Sequence, residues 1–201
     1  MSLKKIKRGY RRTKYILYKE TLINFTEHFW AFIGSFIGIG LIAYLQYKTL
    51  SHSDVVYLIG SFGASSVLVY GVIQSPLAQP RNLVGGHLLS ALIGVTVQKF
   101  VPDYLFITAP LAVSLSIVLM QMTKTLHPPG GATALIAVTG STELKNLGYW
   151  YLISPVLLGS LILLIVALFF NNITSNRQYP THKKFSEIRK RIPFFPKYIL
   201  K

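Results

Sequence analysis

The chain has 201 residues, 51% of them hydrophobic and only 13% charged, with a net charge of +15 and no cysteine. Apolar blocks this long and this free of charge are the pattern of helical membrane spans, which leaves no stretch for a soluble catalytic domain. Without cysteine, disulfides and thiolate metal sites are excluded.

Residues 1–24 carry eight Lys/Arg, residues 173–201 carry another eight, and only Lys48, Arg81, Lys99, Lys124 and Lys145 lie between. Such basic flanks mark the cytoplasmic side of a membrane and favour anionic headgroups, each charge contributing roughly 1 kcal/mol near the surface. They are too short to show a nucleic-acid recognition element, so no nucleic-acid partner is expected. The N-terminal flank has no discrete apolar core with a cleavage site, so the first span stays as an anchor.

In chain order, hydropathy predicts clear spans near 27–47, 83–100, 104–122 and 149–171. Two further apolar segments are atypical. The segment 55–74 has Gly60, Ser61, Gly63, Ala64, Ser65 and Ser66 at its centre, and 126–140 is short and opens on Leu-His-Pro-Pro-Gly-Gly. Proline lacks an amide hydrogen and keeps its predecessor out of the helical region, so Leu126 to Pro129 should be extended and helix should begin near Gly130. Irregular backbone at membrane depth needs protein or a polar cavity around it, and a cavity is the expectation here.

Both basic flanks on one side require an even number of crossings; counting both atypical segments gives six, treating only the second as re-entrant gives five, and six is favoured. The halves resemble each other: Gly63-Ala64-Ser65 aligns with Gly131-Ala132-Thr133, Arg81-Asn82-Leu83 with Lys145-Asn146-Leu147, and Gly94 with Gly159. Three spans per half put the second half upside down. The expected fold is therefore an all-α polytopic membrane protein of about six crossings in two inverted three-span repeats, each with a broken half-helix. The predicted organisation is a basic cytoplasmic tail at 1–24, a transmembrane domain at 25–172 and a second basic cytoplasmic tail at 173–201. The expected location is the cell membrane, multi-pass, with both termini cytoplasmic. No Ser-rich, acid-poor transit segment precedes the first span, which leans toward a prokaryotic plasma membrane rather than a plastid.

In such a fold the two half-helix N-termini meet near the midplane, each bringing free amides and about half a positive charge. Their convergence suits a small monovalent anion. A cation finds no partner, because no Asp or Glu occurs from 55 to 102 or from 104 to 142. The predicted substrate-binding residues are Ser61, Gly63, Ala64, Ser65, His127, Gly130, Gly131, Ala132 and Thr133. Gln79, Arg81, Asn82, His87, Pro128 and Pro129 are assigned to a vestibule or gate. His127 either serves the anion and a proton or caps the bend; His87 either faces the same cavity or links two helices. Arg81 either draws anions in or sets topology. Gly34, Gly38, Gly40, Gly85 and Gly86 read as close-approach positions between helices. No metal site is expected, since the five histidines show no i, i+4 pairing. With no cofactor motif and no nucleophile motif, the chain is not expected to be an enzyme. A non-transporting scaffold or sensor is the alternative, and a homo-oligomer stays open.

The blocks "GSFGASSVLVY", "SPLAQPRNLVGGHLLSALIGV" and "LHPPGGATALIAV" resemble the signature segments of the HPP family, named for the motif seen here at His127, Pro128 and Pro129. The resemblance spans residues 25 to 172. Members of that family are usually described with four spans, so six is a departure. Its plant members are associated with nitrite transport, which implies an anion transporter with nitrite as the first substrate to consider, followed by formate and nitrate.

Overall fold

The computed structural model describes residues 25–174 and 177–181. Helix α1 spans Phe25–Tyr47. Helix α2 spans His52–Ser66 and runs on through a π-helical turn, Val67–Gly71. After a short 3-10 turn at Pro76–Ala78 come α3 (Pro80–Phe100), α4 (Leu105–Met122) and α5 (Pro128–Thr139). A five-residue helix α6 (Thr142–Asn146) follows, then a kinked π-helical turn, Leu152–Leu157, that leads into α7 (Leu158–Phe170). No β-strand occurs among the described residues.

Five helical segments are long and apolar enough to cross a membrane: Phe25–Tyr47, His52–Gly71, Pro80–Phe100, Leu105–Met122 and Leu152–Phe170. Helix α5 has 12 residues and covers about 18 Å at 1.5 Å per residue, short of a bilayer core of about 30 Å.

Helix α2 departs from expectation. Its Gly- and Ser-rich centre is continuous helix, and no helix begins at Ser61 to Ser65. In water those residues are poor helix formers, but in an apolar interior each unpaired amide costs several kcal/mol, so the helix is kept. Its start lies at Ser51, whose hydroxyl accepts from the Asp54 amide (3.3 Å) and donates to the Asp54 carboxylate (2.7 Å). The same carboxylate accepts from the Ser141 amide at 3.0 Å and from the Ser141 hydroxyl. Ser141 is also the N-cap of α6. Asp54, fully buried, thus ties the start of α2 to the end of α5.

At α5 the expectation is close. His127 is extended (φ −139°, ψ 103°) and the helix opens on Pro128, two residues earlier than predicted. Proline tolerates the first helical turn because no partner is needed for a missing N–H.

Contacts sort the helix ends into two groups. At one end Arg177 pairs with Glu27 at 3.1 Å, Arg81 donates to the Thr123 carbonyl at 2.6 Å, and the Tyr179 hydroxyl donates to the Ala78 carbonyl at 2.7 Å. At the other, Asp54 meets Ser141 and Lys145 pairs with Asp103 at 3.0 Å. The packed body runs past residue 172: Ile173, Arg177 and Tyr179 are buried, and the Thr181 amide donates to Gln79. The start of the segment expected as a tail therefore belongs to the folded unit. The rest of both basic flanks, 1–24 and 182–201, lies outside the described residues.

Helices α3, α4 and α5 pack on one another, α1 packs on α2 and α7, and α2 joins the two groups through α5. Close approaches use glycine. A Cβ on Gly94 of α3 would lie 2.6 Å from the Ala134 carbonyl of α5, and one on Gly159 of α7 would strike the Phe62 ring of α2. Gly34 and Gly38 make room for the Tyr70 ring, whereas Gly40 faces open space and is no close-approach position.

Candidate functional site

The middle of α2 turns its hydroxyls inward. Ser61 and Ser65 are one helical turn apart, so both face α5 and α3. Opposite them stand Thr133 from α5, His87 from α3 and His127 from the turn that opens α5. All five side chains are at most 2% exposed.

These groups form one continuous network. Ser65 Oγ lies 2.8 Å from His87 Nε2 and 2.9 Å from His127 Nε2, bridging the two rings. His87 Nδ1 lies 2.7 Å from Thr133 Oγ1, which lies 2.9 Å from Ser61 Oγ. Ser61 reaches the Pro129 carbonyl at 3.0 Å, and His127 Nδ1 reaches the Leu77 carbonyl at 2.9 Å. The imidazole centroids are 5.0 Å apart, with the Phe62 ring another 5.0 Å from that of His87. Tyr151 closes the cluster by donating its hydroxyl to the Thr133 carbonyl at 3.0 Å.

Sequence patterns place most of these residues together but assign some roles that the structure redistributes. Ser61, Ser65, Thr133, His87 and His127 converge. Ala64 and Pro128 are exposed, while Gly63 lines a separate cavity of about 580 Å³ between α1 and α2. Gly130 is the tight position of the Gly-Gly pair: a Cβ there would lie 2.7 Å from Ser90 Oγ, against 3.7 Å to Val113 for Gly131. Ala132 is half-buried on α5.

The cavity expected around Leu126 to Pro129 is replaced by protein. Asn82 donates to the Leu126 carbonyl at 2.8 Å, Arg81 to the Thr123 carbonyl, and the Gly130 amide to the His127 carbonyl at 2.8 Å. The extended backbone is paired by side chains, the other arrangement that membrane depth tolerates. Gln79 serves the neighbouring connection, donating to the Ile73 and Ser75 carbonyls at 3.1 and 2.8 Å. The start of α5 offers few free amides, because its first two residues are prolines. Donors at this site therefore come from side chains.

Tyr151, Asp54, Arg177 and the Leu77 carbonyl are absent from the sequence-based site. Asp54 had a local signal, the Ser-x-x-Asp spacing of a helix start. The others carry none, because each acts on a partner far away in sequence.

An all-helical, multi-pass membrane protein with an uncharged polar centre is the class that this fold and site define. The chain matches the model of the family described as HPP, transmembrane region, over residues 20–180, and it belongs to that family. Two transmembrane proteins of Dictyostelium discoideum are each 46% identical to it, over 156 and 154 residues. Those matches cover 76% and 75% of this chain but 54% and 49% of the relatives, so the chain spans about half the length of the curated relatives it matches. No solved structure matches it.

Proposed function

We propose that this protein carries a small monovalent anion across the membrane, past the cluster of Ser61, Ser65, His87, His127 and Thr133. The observation that carries this reading is the convergence of five uncharged polar side chains, almost wholly buried, in an apolar bundle. Polar and ionisable groups inside a membrane are expensive and mark substrate paths by default. Hydroxyls and imidazole N–H groups are donors suited to an anion, and none of the five is a carboxylate that would hold a cation. A non-transporting scaffold or sensor, in which the same groups only hydrogen-bond helix to helix, is the alternative. Nitrite is the first substrate to test, because the family resemblance points to it, with nitrate and formate next. The protein is read as a transporter and not an enzyme, with its basic flanks on anionic headgroups.

Purified protein in liposomes is expected to give nitrite flux above empty vesicles, and Thr133→Val, which deletes the hydroxyl between Ser61 and His87, should lose most of it. Monodisperse protein that moves none of nitrite, nitrate and formate would overturn the transport reading in favour of the scaffold.

We also propose six crossings in two inverted repeats, with 123–141 crossing as extended chain followed by α5. The packing supports this: α1–α7 is answered by α4–α3, and α1–α2 by α4–α5. Gly94 meets α5 while its counterpart Gly159 meets α2, as exchanged halves require. Charge then puts the Arg81 end, with both termini, in the cytoplasm. Cysteines introduced at positions 81 and 145 should be labelled from opposite sides; labelling from one side would sink the repeat.

A further inference from the structure

The buried network is one hydrogen short. It runs as a single row of six contacts: Leu77 O to His127 Nδ1 (2.9 Å), His127 Nε2 to Ser65 (2.9 Å), Ser65 to His87 Nε2 (2.8 Å), His87 Nδ1 to Thr133 (2.7 Å), Thr133 to Ser61 (2.9 Å) and Ser61 to Pro129 O (3.0 Å). Each contact needs one hydrogen between its two atoms. A neutral imidazole has one N–H and a hydroxyl has one O–H, so the five side chains supply five hydrogens for six contacts. The carbonyls at the two ends only accept. Ser65 has a longer alternative in the Ser61 carbonyl at 3.2 Å, but turning there empties a contact to one of the rings.

We infer that this row of side chains is a binding site for one proton, shared between His87 and His127 through the Ser65 hydroxyl. With the sixth hydrogen present, His127 Nδ1–H donates to Leu77 and Ser61 O–H to Pro129, and every contact between them is filled. The charge then moves without any group leaving its place. His127 passes its Nε2 proton to Ser65 Oγ while Ser65 passes its own hydrogen to His87 Nε2. One N–H bond breaks at His127, one forms at His87, and the hydroxyl is restored.

The surroundings leave the proton to this row. Helices α4, α5 and α7 contain no charged side chain. On α2, Asp54 is engaged by Ser51 and Ser141; on α3, Arg81 donates to Thr123 O. Tyr151 spends its hydroxyl hydrogen on the Thr133 carbonyl, and Tyr179 spends its own on Ala78 O. Among the described residues no hydrogen bond joins a carboxylate to either ring. The bound proton gives the centre a single positive charge without lysine or arginine. That matches one monovalent anion, a consequence that rests on the transport reading, while the proton site itself does not.

The test uses the full chain in phospholipid nanodiscs with 15N-labelled histidine, the ring signals assigned with His87→Gln and His127→Gln. Between about pH 8 and about pH 4, a range that brackets the ordinary imidazole value of about 6.5, the ring nitrogens of His87 and His127 are expected to shift together at one midpoint. The two rings together should take up one proton. Ser65→Ala should uncouple them and Ser65→Thr, which keeps the hydroxyl, should restore the joint transition. Two separate midpoints in the wild type, no change in either ring while the protein stays folded, or a joint transition that survives Ser65→Ala would each overturn the inference; the wild-type titration alone decides it should the alanine variant fail to fold. The titration needs no substrate anion, so an absence of nitrite, nitrate and formate flux alongside a joint titration would remove the transport reading and leave the proton site standing.

Discussion

Gly86→Leu is expected to leave no properly folded protein, or protein whose unfolding temperature falls well below that of the wild type. A Cβ at this position would lie 2.5 Å from His127 Cβ, 2.9 Å from the Thr125 carbonyl and 3.3 Å from Met120 Sδ. Over-packing a core usually costs about 1–3 kcal/mol, because neighbours turn or shift. Here two of the three neighbours belong to the extended chain before α5. That chain is held by Asn82 on Leu126 O and by His127 on Leu77 O, so it has little room to give. The loss should reach the upper end of that range or exceed it. Gly131→Ala is the matched control, since its nearest neighbour would be Val113 Cγ1 at an ordinary 3.7 Å. Size-exclusion profiles after graded heating measure both. A Gly86→Leu protein that remains monodisperse to the wild-type temperature would show that α3 and the His-Pro-Pro turn are not in this contact.

Arg177→Met should be the most damaging replacement of a basic residue among the described ones. The Arg177 side chain is only 4% exposed and pairs with Glu27 at 3.1 Å. It also donates to the Glu27 carbonyl (3.1 Å), the Tyr70 carbonyl (2.8 Å) and Asn171 Oδ1 (2.6 Å). One guanidinium thereby fastens the start of α1, the π-helical end of α2 and the end of α7. Removing one partner of a buried pair costs about 3–5 kcal/mol, since the other charge is left without compensation. Arg177→Lys should recover only part of the loss, because an ammonium cannot reproduce the planar fork of donors. Lys48→Gln, at an exposed position over the Tyr44 ring, should stay within about 0.5 kcal/mol of wild type. Equal thermal stability of the Arg177→Met and Lys48→Gln proteins would contradict the structure at this corner.

The apolar segments, their order and the oddity at His127-Pro128-Pro129 are local properties, and hydropathy together with proline chemistry identifies them in the chain. Charge placement is equally legible, because only five Lys/Arg lie between residues 24 and 173. The expectation that Ser61 and Ser65 lie near Thr133 and His127 rests on an internal repeat with two half-helix starts meeting; the residues do meet, but across a continuous α2 and without a helix start at Ser61 to Ser65. What sequence reading misjudges is the backbone of α2. Glycine and serine there look like a break by propensities that hold in water, yet the surrounding bundle makes any unpaired amide too costly.

Other features exist only once the chain is folded. The carbonyls of Thr123 and Leu126 are paired by Arg81 and Asn82, more than 40 residues away, which puts packed protein where a cavity was expected. Arg177 reads as one more tail charge until it is seen to reach Glu27, 150 positions earlier. The carbonyl of Leu77 has no side-chain signature at all, yet it closes one end of the hydrogen-bonded row and so decides how many protons the row can hold. The sequence by itself therefore determined that this is a helical membrane protein and which residues are polar inside it, because those are sums over local composition. Which of those residues meet, and whether their hydrogen bonds balance, was decided by tertiary structure, because a hydrogen-bond deficit belongs to a set of atoms brought together and to none of them alone.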